Sequence, residues 1–221
     1  MLFPAYLQPV SRFFRKRRNR RLVAIIDELF LIKDAAVDVL DIGGSLTFWL
    51  CVPESARAKC RVSLINLPGS YGEVSPEAEC IRDTTTLLTG DARDLSQFAD
   101  SSFDLVVCNS VIEHVGAWPD MVAVAGEARR VGRRGWIQVP AFEFPVEQHY
   151  LLPFVHWFSD PIQVKVIALL HREFRKWSFN ERYIMVHHVR PLTHTQLKHL
   201  FPDTSIRSEW VIFPKCHIAA W

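Results

Sequence analysis

Glycine is scarce in this chain, nine in 221 residues, and methionine is scarcer at three. No G-x-G-x-x-G and no G-x-x-x-x-G-K-[ST] occurs, so the dinucleotide fingerprint and the P-loop are both missing. No apolar run reaches the roughly 20 residues that a membrane-crossing helix needs, because Pro, His or charge interrupts each one. The N-terminal stretch lacks an apolar segment followed by a small-residue cleavage site, so no secretory leader is expected. The five cysteines (Cys51, Cys60, Cys80, Cys108 and Cys216) contain no C-x-x-C pair, and their number is odd. That argues against a disulfide frame and a zinc finger, and for reduced thiols in a cytoplasmic protein. Internal repeats and low-complexity tracts are absent.

Apolar residues are plentiful. They make up 49% of the chain, with seven Trp and fifteen Phe, enough for a substantial core. The length suits one domain, residues 1–221, with an elaboration. Net charge is +2, unevenly placed. Residues 1–21 hold seven of the 26 Lys and Arg and no acid, which leaves 19 basic against 24 acidic groups in the remainder. A nucleic-acid-binding domain would carry its basic charge across a face of the fold. Here it belongs to an N-terminal arm.

Apolar spacing over Arg21–Leu31 predicts a helix packed on the core. Asp38–Ile42, Arg61–Leu67, Thr86–Leu88, Phe103–Cys108 and Trp136–Val139 read as five strands. They alternate with loops or helices, among them a helix over Trp118–Val131. Such alternation predicts an α/β fold with a parallel sheet. Residues 141–190 break the pattern with dense Phe, His, Trp and Pro, and read as a lid inserted after strand five. Within them a helix is expected from Pro161 to about Trp177, with Asp160 as its N-cap and Ile162, Val166, Leu169, Leu170, Phe174 and Trp177 on one face. A short helix capped by Thr193 and a hairpin of Ile206–Phe213 with His217–Trp221 complete the reading.

Chemistry-bearing residues collect at the ends of these strands. Asp41-Ile-Gly-Gly44 follows strand one, where glycine lets the backbone approach a ligand and a helix N-terminus favours an anionic group. Asn66 closes strand two, placed to meet ribose hydroxyls. Asp91 and Ala92 follow strand three, a carboxylate and a small residue suited to an exocyclic amine and a ring nitrogen. Asn109 and Ser110 close strand four. Each has a plain structural alternative as a turn or strand-end residue.

Together, Val39-Leu-Asp-Ile-Gly-Gly44, Thr89-Gly-Asp-Ala92, Ser102-Phe-Asp-Leu-Val-Val-Cys-Asn-Ser-Val-Ile-Glu-His-Val115 and Glu127-Ala-Arg-Arg-Val-Gly132 resemble the successive motifs of class I S-adenosylmethionine-dependent methyltransferases. Leu200-Phe-Pro-Asp203 and Phe213-Pro-Lys-Cys-His-Ile-Ala219 resemble that family's last helix and hairpin. The resemblance implies a Rossmann-like, seven-stranded, mostly parallel sheet sandwiched by helices, with the last strand antiparallel. It implies S-adenosylmethionine as cofactor, with Asp41, Gly43 and Gly44 at its methionine part, Asn66 at the ribose, Asp91 and Ala92 at the adenine, and Asn109 and Ser110 beneath the reactive methyl. Ser45 and Asn66 depart from the family's usual glycine and acid. Gly43-Gly44 with Phe48-Trp49, Phe144-Pro-Val-Glu-Gln-His149 and Pro153-Phe-Val-His-Trp157 are similar to a bacterial subgroup that often accompanies surface-polysaccharide or glycolipid biosynthesis. A sugar or lipid-linked hydroxyl acceptor is implied on that ground.

The sulfonium is an activated electrophile, so the protein's share is in-line positioning and removal of the acceptor's proton. His114, His149 and Glu147 are the candidates for that proton, with Glu113 as a further carboxylate. His156, between aromatic residues, reads as structural. No metal is expected: His187 and His188 are adjacent, and His194 and His199 stand five apart, spacings that do not converge on an ion. For the basic arm a packing role comes first. Peripheral membrane contact through residues 12–21, at the inner face of the membrane, comes second, since Phe13 and Phe14 lie beside the charges. RNA comes third, since the acidic remainder repels phosphate. A binding or scaffold protein that keeps the fold without turnover, and an RNA methyltransferase, are the alternative functions.

Overall fold

The computed structural model describes residues 8–71, 76–149 and 151–221. Among the described residues nine strands and eight helices follow one another, and seven of the strands form a sheet. In chain order these strands are β1 (Val37–Ile42), β2 (Cys60–Asn66), β3 (Thr85–Thr89), β4 (Phe103–Asn109), β5 (Gly132–Pro140), β8 (Ser205–Trp210) and β9 (Pro214–Ala220). Their spatial order is β3-β2-β1-β4-β5-β9-β8. The order reverses beside β1, and such a reversal is where open α/β sheets hold ligands, beyond the carboxyl ends of the strands. The α/β expectation is met. A separate two-stranded ladder, β6 (Val146–Glu147) with β7 (Leu152–Pro153), went unseen in the sequence because each strand is two residues long.

The chain divides into two compact units, one of residues 1–109, 122–137 and 220–221, the other of residues 110–121 and 138–219. In the first, β1 pairs in parallel with β2 and β4, and β2 with β3. Val37, Val39, Leu40 and Ile42 of β1 are buried, as are Leu105, Val106, Val107 and Cys108 of β4. These near-continuous apolar runs are what a sheet covered on both faces requires. Helix α1 spans Gln8–Lys33, starting well before the expected Arg21. The basic segment is therefore the first half of one long helix, not a lead-in to it. Arg and Lys are good helix formers, so charge does not stop a helix that Leu22, Ile25 and Ile26 anchor by burial. Short helices α2 (Leu46–Trp49), α3 (Glu54–Arg57) and α4 (Pro76–Glu79) and the longer α5 (Trp118–Val131) follow.

In the second unit, α6 (Asp160–Leu170) and α7 (Phe179–His188) pack together around Val155, Val164, Ile167 and Val186. Two expectations fail here. The N-cap of α6 is Ser159, not Asp160, and the helix stops at Leu170 instead of running to Trp177. His171 is extended, Arg175 folds back to donate to the carbonyl of Leu169 at 2.7 Å, and Phe174–Lys176 is a separate 3-10 turn. The expected apolar stripe is split: Ile162, Leu169 and Leu170 face outward, 46%, 69% and 61% exposed, while Val166 and Phe174 pack against the Val155 cluster. Gln163, Val164 and Ile167 are buried instead. Helix α7 was not expected, although Ser178 and Glu181 form a complete capping box at its start. Helix α8 (His194–Leu200) is capped by Thr193 as expected. β8 ends at Trp210, and Val211–Phe213 forms the turn into β9 instead of continuing the strand.

Candidate functional site

In the first unit the strand ends supply an acid beside a glycine turn. Asp41 is fully buried. Its Oδ2 accepts from Trp49 Nε1 at 2.9 Å, while Oδ1 has no hydrogen-bond partner. Burial, only partly offset by the Trp49 hydrogen bond, pushes this carboxyl up to about 8. Gly43 has φ +67, a left-handed conformation that favours glycine, and its N–H donates to Ile65 at 2.8 Å. A Cβ on Gly44 would stand 2.1 Å from Asp41 Oδ2, so a side chain there would displace the carboxylate. Ser45 caps α2, its hydroxyl accepting from the Phe48 N–H at 3.2 Å. That gives the departure from a glycine at this position a local structural use. Asn66 Nδ2 donates to the Gly44 carbonyl at 3.0 Å, which ties the end of β2 to the glycine turn.

Asp91 and Ala92 lie in the turn after β3. The Asp91 carboxylate accepts from the Arg93 backbone N–H at 2.9 Å and from its guanidinium at 2.6 Å. Those bonds hold its pKa below the ordinary carboxylate value. Asn109 is the last residue of β4.

In the second unit Ser110 sits at φ +56, an uncommon conformation for a non-glycine residue. It is held there by two bonds to Gln138, from its N–H at 2.9 Å and from its hydroxyl at 3.0 Å.

The three expected proton carriers come together in this second unit. Glu147 on β6 is buried, and its carboxylate accepts from the His149 backbone N–H and pairs with His149 Nδ1, both at 2.6 Å. His149 Nε2 faces His114 Nε2 at 3.2 Å, the rings nearly perpendicular at 87°. Ile112–His114 is a 3-10 turn. It places buried Glu113 alongside, one carboxylate oxygen 4.0 Å from His114 Nε2. The turn is fixed by the Arg190 N–H, which donates to the Glu113 carbonyl at 2.9 Å. Burial, then the neighbouring His149, pushes His114 down to about 4. Burial also opposes charge on His149, but the Glu147 carboxylate outweighs it and the pKa is raised.

Arg190 also lines a cavity of about 750 Å³. Trp118, Phe142, Trp157 and Phe158 supply aromatic walls, and Gln163 and Gln196 supply polar groups. His156 lines it as well, buried, with Nε2 on the Phe142 carbonyl at 2.9 Å, which fits the structural role expected of it. The other histidine pairs do not converge. His187 and His188 lie on α7, with His187 on Asp160 and Arg190, and the His194 ring packs on His217. Among the described residues, Glu113, His114 and His149 are the ones whose ligand-type atoms gather, all within 4.8 Å of one another. Nothing in the spacing of His114 and His149, 35 residues apart, signals that meeting.

Residues 40–137 match the methyltransferase domain family. The match covers less than half of the chain. Its fold is shared with solved structures at low identity. The magnesium protoporphyrin IX methyltransferase of Synechocystis PCC 6803, solved with S-adenosylhomocysteine, is 14% identical with a TM-score of 0.56, covering 100% of this chain and 89% of that one. A SAM-dependent methyltransferase of Archaeoglobus fulgidus is 14% identical with a TM-score of 0.55, over 95% and 94%. An O-methyltransferase family protein of Burkholderia thailandensis is 14% identical with a TM-score of 0.53, over 95% of this chain. The chain spans 57% of that protein's length, so it corresponds to little more than half of it. No curated protein matches the chain in sequence.

The solved Synechocystis structure holds S-adenosylhomocysteine, the demethylated form of S-adenosylmethionine. The residues fit that group: a bare buried oxygen on Asp41 suits an ammonium, and the backbone at Gly43 and Gly44 is free of side chains.

Proposed function

We propose that the protein transfers a methyl group from S-adenosylmethionine to a hydroxyl oxygen of a small ring-bearing acceptor, a sugar or similar compound, free or lipid-linked. The observation that carries the choice of oxygen is the line Glu147–His149–His114, with its 2.6 and 3.2 Å contacts. A hydroxyl must lose its proton as it attacks, whereas the sulfonium needs no activation from the protein. Glu147 engages Nδ1 of His149, orienting the ring and leaving Nε2 for proton exchange, as a carboxylate does when it fixes the tautomer of a general base. His114, more exposed and held neutral, stands next in line.

Asp41, Gly43, Gly44 and Asn66 hold the methionine and ribose parts of the cofactor in this reading, and Asp91 with Ala92 holds the adenine. Asn109 and Ser110 lie beneath the methyl. The cofactor, when bound, supplies the electrophilic methyl carbon. The residues bind and orient it and take up the acceptor's proton. The aromatic cavity supports a ring-bearing acceptor, since flat apolar walls stack on such groups while Gln163, Gln196 and Arg190 can meet hydroxyls or a negative charge.

The test is calorimetric titration of the protein with S-adenosylmethionine and S-adenosylhomocysteine, followed by an acceptor screen of phenols, sugars and glycolipids read by isotope transfer. Binding of both ligands and transfer to a hydroxyl compound is the expected result. A folded protein that binds neither would leave the scaffold reading in its place.

A further inference from the structure

The two imidazoles of His114 and His149 point ring nitrogen at ring nitrogen, Nε2 to Nε2, at 3.2 Å. Two lone pairs so placed would repel, so either one ring donates its N–H to the other or a metal ion sits between the two nitrogens. The distance admits either. Two nitrogen ligands at about 2.05 Å from one tetrahedral ion lie about 3.3 Å apart. A third ligand stands by: Glu113, fully buried, has a carboxylate oxygen 4.0 Å from His114 Nε2. An outer shell is also built. His149 uses its other nitrogen, Nδ1, on the buried Glu147 carboxylate at 2.6 Å, the carboxylate–histidine arrangement that orients an imidazole toward a metal. The His114 side chain is 38% exposed, so a fourth position faces an accessible side.

We propose that Glu113, His114 and His149 form a binding site for one divalent first-row transition ion of the zinc type. Two imidazoles and one carboxylate are the ligand types such ions prefer, and a hard ion such as magnesium would require more oxygen. The open fourth position takes an oxygen ligand, water or the acceptor's hydroxyl. The role of the ion rests on the function proposed above, whereas its binding does not. Bound there, the ion lowers the hydroxyl's pKa, as zinc does for water. The proton then passes to solvent, an oxygen lone pair forms the new bond to the methyl carbon, and the sulfur–methyl bond breaks to give the neutral thioether. The ion takes over the task that the bare imidazoles perform without it.

The full-length protein, reduced and freed of metal by chelator, is titrated with zinc by calorimetry and with cobalt(II) by visible absorption. One ion per chain is expected, with a tetrahedral d–d band and no sulfur charge-transfer band, so that the five cysteines, none in a disulfide, are not the ligands. His114→Ala, at a partly exposed position, and His149→Ala, each shown to be folded by circular dichroism, should abolish the cobalt band. Glu147→Gln should weaken binding about 10- to 100-fold through the outer shell. His187→Ala, outside the cluster, should leave binding intact. Failure of the folded wild-type protein to bind zinc and cobalt would overturn the site. So would binding undiminished in His114→Ala and His149→Ala, or a cobalt spectrum dominated by thiolate. S-adenosylmethionine affinity, measured on the same metal-free protein, reports on the methyltransferase reading alone. Stoichiometric, histidine-dependent metal binding supports the site even where that affinity is absent.

Discussion

Two carboxylates, Asp41 and Glu147, are both buried, yet they are built for opposite ends. Asp41 has one hydrogen bond, from an indole, and one bare oxygen. Glu147 accepts from a backbone N–H and meets a histidine nitrogen through its two oxygens. A buried acid with a bare oxygen holds its proton and is poised to receive a cation, because an ammonium would supply the charge that burial removed. A buried acid bonded to an imidazole is already spent on orienting that ring. The contrast separates a binding acid from a positioning acid, and neither role follows from burial alone.

The largest expected effect falls on the imidazole that Glu147 holds. His149→Ala should lower methyl transfer about 100- to 10,000-fold, the usual range for a lost acid–base group. S-adenosylmethionine affinity should stay within about twofold, since no cofactor-binding role is assigned to the ring. A parallel loss of cofactor affinity would erase the contrast.

Asp41→Asn is next. A charge-assisted hydrogen bond is worth about 1.5–3 kcal/mol, so cofactor affinity should drop about 10- to 100-fold. Two pH effects accompany it. With the folded pKa near 8 against an ordinary 3.8, the ligand-free protein gains stability from protonated Asp41 at low pH. That contribution is lost as pH rises through about 8, and thermal melts of the Asn variant should lack it. Cofactor binding should run the other way, tightening toward pH 8 as the carboxylate ionises, and flat in Asp41→Asn. Buffers of different ionisation enthalpy would register the proton released on binding.

Gly44→Ala comes third. The added methyl would meet Asp41 Oδ2 at 2.1 Å, and Asp41 has no room to retreat because it is buried and bonded to Trp49. Overpacking of this kind costs about 1–3 kcal/mol, to be read as a lowered melting temperature together with weakened cofactor binding. An unchanged variant would mean that the turn can reopen around the carboxylate.

The two regions also differ in how far the sequence disclosed them. Asp41, Gly43 and Gly44 are neighbours in the chain, placed by one strand and one turn, and a short motif reveals such a site because local backbone geometry makes it. The sheet was equally legible, since the buried parts of β1 and β4 are near-continuous apolar runs. His114 and His149 meet only through tertiary packing: a 3-10 turn fixed by Arg190, and a ladder two residues long. Their candidacy was visible residue by residue, but their convergence was not. Helix α6 shows the same limit from another side. Period-3.6 counting joined Phe174 and Trp177 to Ile162, while Arg175 folding back on the last turn ended the helix at Leu170. The capping box at Ser178 and Glu181 was a local signal, and it marked the next helix.

The smallest effect sharpens the contrast between acids once more. Asp91 can be set beside Asp41 and Glu147, and unlike those two it is partly exposed and paired with its own neighbour, Arg93, at 2.6 Å. An exposed ion pair contributes about 0–1 kcal/mol, so Arg93→Ala should leave the melting temperature nearly unchanged. If Asp91 accepts from the adenine amine, Arg93 competes for the same oxygens, and its removal should tighten S-adenosylmethionine binding about two- to fivefold, the equivalent of up to about 1 kcal/mol. Asp91→Ala should weaken it by a similar factor. Weakened binding in Arg93→Ala would reverse the assignment, making the guanidinium the ligand contact and Asp91 the group that orients it, the same positioning duty that Glu147 performs for His149.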